Sequence, residues 1–170
     1  MATEIQTIAV IGAGDDGRQM ACAAVRAGYR TILEDVSDTR LEQAVAWIAN
    51  VDAEASSRLV LSRTLEEAVR EADLIIEAVA EEMEMKIEMF TIFDKFAKPD
   101  AIFASTSRLV PIAELAAVTF CPERCIGIRF RGPPKPKPNH RLSARGWARY
   151  QHHLSAGEAA SRLAAACAAR

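Results

Sequence analysis

The stretch IAVIGAGDDG, residues 8–17, decides the fold of this 170-residue chain. Ile8, Val10 and Ile11 form a short run of β-branched residues, which is typical of a buried parallel strand. The glycine-rich residues 12–17 follow without a gap and lead into an Ala-rich segment with helical spacing up to residue 27. A strand, a glycine turn and a helix in this order predict a turn that binds the pyrophosphate of a dinucleotide.

The three glycines of this turn have separate expected roles. Gly12 allows the tight turn, Gly14 lets the backbone approach the pyrophosphate, and Gly17 lets the helix pack closely on the strand. The helix N-terminus adds unpaired N–H groups and a partial positive charge. A purely structural turn is the alternative interpretation. The cofactor-binding residues predicted here are Gly12, Ala13, Gly14, Asp16 and Gly17.

An acidic residue stands where this motif requires one. A second strand, expected at residues 29–33, ends at Glu34 and Asp35. Asp35 lies about 20 residues beyond the glycines, at the place where a carboxylate accepts hydrogen bonds from a ribose. No basic residue directly adjoins Asp35, which favours NAD over NADP, although Arg40 lies close enough in sequence to leave NADP open.

Short apolar runs and helical segments then alternate along the chain. Asp38 is expected to cap the second helix. Residues Thr64 to Glu67 have the pattern of a capping box at the start of the third helix. Met85 is placed with Met89 and three further apolar residues on the buried stripe of the fourth helix, at 81–97. The expected strands cover residues 8–11, 29–33, 59–61, 74–79, 101–104 and 125–128.

This alternation predicts an α/β, Rossmann-like, doubly wound sheet of six mostly parallel strands with helices on both faces. Ligands of such sheets bind beyond the carboxyl ends of the strands. The glycine turn, Asp35, the loop at 78–81 and the serines at 105–107 all follow strands, so we expect them to converge on one crevice.

Composition excludes several classes of protein. No run of about 18 apolar residues occurs, which argues against a membrane span, and the first strand begins without a signal-peptide pattern. The four cysteines lack a CxxC spacing, so reduced thiols in a cytoplasmic protein are expected rather than a metal site. Residues 1–130 carry a net charge of −9, whereas residues 131–170 carry +7. We therefore expect a dinucleotide-binding domain at 1–132 and a basic Pro/Ala/Arg-rich tail at 133–170.

With these residues in hand, the chain resembles the NAD-binding domain of the 3-hydroxyacyl-CoA dehydrogenases. The resemblance covers about residues 5–134. The motif at 105–111, STSRLVP, looks nearer to the related carnitine dehydrogenase and lambda-crystallin branch. The segments that carry the resemblance are IAVIGAGDDG (8–17), ILEDVS (32–37), ADLIIEAVAEEMEMK (72–86), AIFASTS (101–107) and PERCIGIRF (122–130).

The resemblance implies an oxidoreductase of fatty acid metabolism that transfers hydride between a 3-hydroxyacyl substrate and NAD. It also implies a possible homodimer. Ser107 matches the family serine that hydrogen-bonds the substrate oxygen. The residues expected toward the nicotinamide side are Ala78, Val79, Glu81, Lys86 and Ser105. Ordinary solvated side chains at a helix start are the alternative for Glu81 and Lys86, and simple turn capping is the alternative for the serines.

The sequence departs from the family at the catalytic position. The family's base is a His after the sixth strand, and Arg129 stands at the matching position. A guanidinium keeps its proton and cannot serve as that base. The family's helical second domain also has no counterpart after Pro134. The sequence therefore predicts a truncated or rearranged, catalytically impaired member, with Asp15 and Asp16 weakening NAD binding by repelling the pyrophosphate.

Three alternatives remain at this point. The chain can be a non-catalytic dinucleotide-binding module, a carnitine dehydrogenase-like oxidoreductase, or an intact enzyme that takes its base from the tail, such as His140. A tail that binds nucleic acid is disfavoured, because Trp147 and Tyr150 are the only aromatic residues among its basic ones.

Overall fold

The computed structural model of the protein describes residues 5–128. The expectations for Arg129 and for the tail at 133–170 lie outside the described residues. Within residues 5–128, strands and helices alternate as the apolar runs predicted. The strands are β1 (Thr7–Ile11), β2 (Arg30–Glu34), β3 (Leu59–Ser62), β4 (Leu74–Glu77), β5 (Ile102–Ser105) and β6 (Cys125–Gly127). The helices are α1 (Asp15–Arg26), α2 (Asp38–Val51), α3 (Leu65–Arg70), α4 (Met83–Phe96) and α5 (Ile112–Ala116).

The six strands form one parallel sheet in the order β3-β2-β1-β4-β5-β6. The chain moves outward from β1 to β3, then returns to the other side of β1 for β4. This reversal between β1 and β4 opens a crevice at the carboxyl ends of those two strands. The expected doubly wound α/β fold is therefore confirmed.

Two apolar clusters cover the two faces of the sheet. On one face, residues of α1 and α2 such as Met20 and Ile48 pack on Val10 and Leu33. On the other face, α3, α4 and α5 pack on the opposite side of the same strands, where three aromatic rings meet. Those rings are Phe90, Phe93 and Phe103, with centroids 5.3 to 6.3 Å apart. The prediction of helices on both faces is also confirmed.

Helix caps differ from the sequence expectations at two places. Ser37, not Asp38, is the N-cap of α2, and its Oγ accepts the Arg40 N–H at 3.4 Å. Asp38 is instead the first helical residue and forms an ion pair with Arg63. Thr64 does occupy the N-cap position of α3, but its side chain makes no cap hydrogen bond, so the expected capping box does not form.

The expected buried stripe of α4 is confirmed at Phe93, and Met89 and Phe96 of the stripe pack partly buried against the core, but the stripe was wrong at Met85. Met85 is 38% exposed, whereas Lys86, Phe90 and Phe93 are the buried residues of the helix. Those three positions follow the spacing i, i+4, i+7, which is one face of a helix. Lys86 is therefore the buried residue in this turn of α4, where the sequence predicted Met85.

Candidate functional site

The carboxyl ends of four adjacent strands bring the predicted site residues together. Ile11 of β1 lies opposite Glu34 of β2 and Glu77 of β4, and Glu77 lies opposite Ser105 of β5. The loops that follow these residues begin side by side at one edge of the sheet. The convergence expected from chain order is thus confirmed by the register of the strands.

The glycine turn has the shape that close approach of a ligand requires. Gly12 has a φ of +101°, and a Cβ on it would lie 2.7 Å from the Ala78 carbonyl oxygen. A Cβ on Gly17 would lie 1.7 Å from the Gly12 carbonyl oxygen, so this glycine lets α1 sit directly on the turn. A Cβ on Gly14 would meet nothing within 4 Å. Gly12 and Gly17 are required by the fold, whereas the space at Gly14 is open for a ligand.

The first turn of α1 presents unpaired donors beside that open space. Gly14 is the N-cap, and the helix begins at Asp15. The first backbone hydrogen bond of the helix runs from the Arg18 N–H to the Gly14 carbonyl. Among residues 5–128, no backbone carbonyl accepts from the N–H groups of residues 15–17. These three donors and the helix dipole suit a pyrophosphate.

Asp35 connects the glycine turn to the start of α2. Its carboxylate is buried, with Oδ2 accepting the Ala13 N–H at 2.8 Å and Oδ1 accepting the Ser37 N–H at 2.8 Å. The Arg40 guanidinium lies 3.7 Å from Oδ2. Each carboxylate oxygen retains a second lone pair, so Asp35 can also accept from ribose hydroxyls.

The two aspartates at the turn are not equivalent. Both are exposed, but Asp15 forms an ion pair with Arg18 at 2.8 Å, and Arg18 also lies over the Trp47 ring. No ion pair among residues 5–128 includes Asp16. Arg18 therefore offsets the charge of Asp15 rather than that of Asp16.

The neighbouring carboxyl group of Glu34 has an unusual environment. Glu34 is only 5% exposed and is the last residue of β2. Burial first, and then the adjacent Asp35 carboxylate, raise its pKa from 4.5 to about 7. A change of pH around neutrality consequently changes the charge next to Asp35.

The loops after β4 and β5 are joined by hydrogen bonds between side chains. Glu81 accepts the Ser107 hydroxyl at 2.5 Å and the Arg108 N–H at 2.7 Å. Burial opposes ionisation of Glu81, but these two hydrogen bonds and the charge of Lys86 outweigh it and lower its pKa. The Ser107 hydroxyl also accepts the Val110 N–H at 2.8 Å. Glu81 is accordingly an ionised carboxylate, and the Ser107 hydroxyl is held in one orientation.

Lys86 and Ser105 lie beneath this pair rather than on the surface. Lys86 is fully buried and donates to Glu77 at 2.6 Å, so the solvated alternative for Lys86 was wrong. The buried Ser105 hydroxyl donates to the same carboxylate at 2.6 Å and accepts the Ser107 N–H. The loop residues Ala78 and Val79 are half-buried beside them.

Sequence reasoning missed Glu77, the carboxylate that both of these side chains share. Two signals in the sequence point to it. Glu77 interrupts the apolar run of β4, and Lys86 falls on the buried face of α4, four residues before Phe90. A charge at each of two positions that should be buried predicts a buried ion pair.

A crevice at a strand-order reversal, a glycine turn at a helix N-terminus and a buried acid at the second strand define a dinucleotide-binding domain. The sequence model of the family described as "3-hydroxyacyl-CoA dehydrogenase, NAD binding domain" matches residues 7–138. The chain belongs to this family, and its expected cofactor, NAD, is confirmed.

Two relatives that are similar in sequence agree with this assignment. The chain is 40% identical over 144 residues to a probable 3-hydroxybutyryl-CoA dehydrogenase of Bacillus subtilis, with 76% of this chain and 50% of the relative covered. It is 36% identical over 147 residues to the 3-hydroxybutyryl-CoA dehydrogenase of Bradyrhizobium diazoefficiens, with 78% and 50% covered. The chain thus spans about half the length of these relatives.

A solved structure shows the same fold. The (S)-3-hydroxybutyryl-CoA dehydrogenase PaaH1 from Ralstonia eutropha superposes with a TM-score of 0.71 at 28% identity. The superposition covers 76% of this chain and 50% of that one. As with the sequence relatives, the likeness accounts for half of the larger protein.

Proposed function

We propose that this chain is the NAD-binding half of a 3-hydroxyacyl-CoA dehydrogenase and that, by itself, it binds NAD without turning over substrate. The observation that carries the proposal is the glycine turn: Asp35 holds the turn through the Ala13 N–H, and the space at Gly14 is open. When bound, NAD supplies the acceptor for hydride from a secondary alcohol. The residues described above supply binding and orientation.

In this proposal the dinucleotide is held in two parts. The glycine turn and the first turn of α1 bind the pyrophosphate, and Asp35 binds the adenosine ribose. Ala78, Val79 and Glu81 contact the nicotinamide half, with Lys86 and Ser105 supporting them from below. Ser107 donates its hydrogen bond to the substrate oxygen in place of Glu81.

Substrate oxidation in the family uses a His as the base, and this chain has no His at that position. Arg129 stands at the position of the family's His, and its guanidinium does not accept the hydroxyl proton at neutral pH. The relatives are also about twice as long as the part of them that this chain matches. Cofactor binding is therefore the activity that the described residues support.

The test combines an NADH fluorescence titration with turnover assays on acetoacetyl-CoA and on carnitine. We expect binding without turnover. Turnover in an Arg129→His variant would assign the defect to that position, and carnitine-dependent turnover would favour the carnitine branch. Failure to bind NADH would contradict the proposal.

Assembly and location remain predictions. Within residues 5–128, no helix is long and apolar enough to cross a bilayer. We expect a homodimer, which sedimentation at several protein concentrations will detect, and a cytoplasmic location, which fractionation will test.

A further inference from the structure

Glu77 is a fully buried carboxylate that bonds Val79 in the loop after β4, Ser105 at the start of the loop after β5, and Lys86 in α4. It ends β4, between β1 and β5 in the sheet. Its Oε1 accepts from Lys86 Nζ at 2.6 Å and from the Val79 N–H at 2.8 Å, and its Oε2 accepts from the Ser105 hydroxyl at 2.6 Å. A buried carboxylate with three donors is a strongly held group.

Lys86 carries this connection to the loop after β4. Besides Glu77, its Nζ donates to the Val79 carbonyl at 3.3 Å and lies 3.9 Å from Glu81 Oε2. The ammonium therefore holds both ends of the short segment at 79–81. A buried lysine that lost Glu77 would leave its charge uncompensated and would not keep this position.

Ser105 carries the connection to the loop after β5. Its oxygen accepts the Ser107 N–H at 3.1 Å, and the Ser107 hydroxyl in turn donates to Glu81. The contacts consequently close into a ring of five residues, in which the Ser107 backbone N–H makes the link to Ser105. The ring runs through Glu77, Lys86, Glu81, Ser107 and Ser105.

We propose that Glu77 is a positioning residue that fixes the loops 78–81 and 105–108 relative to each other and so presets the nicotinamide half of the site. The inference rests on the function proposed above. The part of the proposed site that would bind adenosine is held by different bonds, in which Asp35 accepts the Ala13 and Ser37 N–H groups. Loss of Glu77 should therefore weaken binding of the whole dinucleotide more than binding of ADP-ribose, which lacks only the nicotinamide ring.

The same strand offers a matched control at its other end. Asp73 directly precedes β4, is also buried, and accepts the Gln6 and Thr7 N–H groups and Lys98 Nζ. It resembles Glu77 in burial and in its partners, but it lies at the edge of the sheet opposite the crevice. Asp73→Asn thus reports what loss of a buried carboxylate does to the fold alone.

The experiment measures NADH and ADP-ribose affinities in the full chain and in Glu77→Gln and Asp73→Asn, together with thermal unfolding. For Glu77→Gln we expect the ratio of the NADH to the ADP-ribose dissociation constant to rise about tenfold. For Asp73→Asn we expect a lower Tm and an unchanged ratio. An unchanged ratio in Glu77→Gln, or an equal rise in both variants, would overturn the inference.

Two further variants test the inference if Glu77→Gln does not fold. Ser105→Ala removes the two bonds of the ring that the Ser105 hydroxyl makes, to Glu77 and from the Ser107 N–H, and keeps the buried charges paired. The double variant Glu77→Gln with Lys86→Met removes both charges together. Both should raise the same ratio, and an unchanged ratio in both would again overturn the inference. If the unaltered chain bound neither NADH nor ADP-ribose, the proposed function itself would fail and this inference with it. If the unaltered chain binds NADH and the variants leave the ratio of the two dissociation constants unchanged, the role of Glu77 is contradicted while the proposed function stands.

Discussion

Gly14 and Gly17 occupy the same turn but for different physical reasons. Gly14 has an ordinary extended backbone, with φ of −67°, and open space around it, whereas a side chain on Gly17 would strike the backbone of Gly12. Of these two glycines, only Gly17 is therefore required by the fold.

This difference gives a prediction for two alanine variants. Gly14→Ala should leave the free energy of unfolding within about 0.5 kcal/mol of its original value and weaken NADH binding about tenfold. Gly17→Ala should cost about 3 kcal/mol or more of stability, because the clash is with backbone. Chemical denaturation and NADH titration check both. A Gly14→Ala variant that binds NADH normally would show that the open space is not used.

Asp16 should oppose cofactor binding while favouring the helix. Its carboxylate lies in the first turn of α1, where negative charge stabilises a helix but repels a pyrophosphate. Asp16→Met should lower the NADH dissociation constant and reduce stability by about 0.5 kcal/mol. Asp15→Asn is the control, and its effect on binding should be smaller because Arg18 already pairs with Asp15. An unchanged dissociation constant in Asp16→Met would contradict the repulsion.

Glu34 should make stability depend on pH around neutrality. Its pKa is about 7 in the folded protein and 4.5 ordinarily, so folding favours the protonated form. The contribution is fully present below pH 4.5 and is lost as pH rises through 7. At about 1.4 kcal/mol per pKa unit, the loss is on the order of 3 kcal/mol.

The measurement compares urea denaturation of the unaltered chain and of Glu34→Gln between pH 4.5 and 8. The unaltered chain should lose stability relative to the variant across this interval. A constant difference between the two proteins would show that Glu34 does not titrate there.

At the scale of the element, α4 joins the packing of the core to the site. Phe90 and Phe93 pack on Phe103 of β5, and Lys86 on the same helix face reaches Glu77. The helix position that orients the buried lysine is thus fixed by aromatic contacts one and two turns later.

The buried face of α4 can be tested with two variants of the same helix. Phe93→Ala should cost about 3–5 kcal/mol of stability, because it removes a fully buried ring. Met85→Ala should change stability by less than about 0.5 kcal/mol, because this side chain is exposed. Thermal and chemical unfolding measure both. A loss in Met85→Ala as large as that in Phe93→Ala would show that Met85 is buried, as the sequence prediction had it.

Local sequence patterns account for most of the elements but not for their exact ends. Each strand follows from a short apolar run, and Gly28 with φ of +91° stops the helix before β2 as glycine is expected to do. By contrast, β4 was expected to reach Val79 and ends at Glu77, because the Glu77 side chain takes the Val79 N–H. Because Ala78 and Val79 are also apolar, the run of residue types does not show where the strand ends.

The candidate site also has a part that local sequence motifs predict and a part that they do not. Asp35 and the glycines form a motif with fixed spacing, so the sequence alone was sufficient to place them together. The Glu81–Ser107 contact joins residues 26 positions apart, across two adjacent strands. Their closeness depends on the order of β4 and β5 in the sheet, and the direction of each side chain depends on Glu77 beneath them.

At the scale of the whole molecule, the sheet separates a stabilising edge from a binding edge. At the amino ends of the strands, Asp73 and Lys98 form an ion pair and Asp73 also accepts backbone N–H groups of β1 and its preceding residue. At the carboxyl ends, carboxylates are concentrated at the crevice, as Glu34, Asp35, Glu77 and Glu81. A ligand that brings a further phosphate to the Asp35 side of this crevice meets negative charge.

The choice between NAD and NADP should therefore be measurable as a difference in stabilisation of the fold. NADH at 100 times its dissociation constant should raise the free energy of unfolding by about 2.7 kcal/mol. NADPH at the same concentration should raise it less, because its 2′-phosphate would lie against the buried Asp35 carboxylate and Arg40 is already engaged there at 3.7 Å. In Asp35→Asn the difference between the two cofactors should shrink, since the repelling charge is gone while the position of the side chain is kept. Thermal unfolding with each cofactor provides the comparison, and equal stabilisation of the unaltered chain by NADPH would show that Arg40 leaves Asp35 to receive the phosphate.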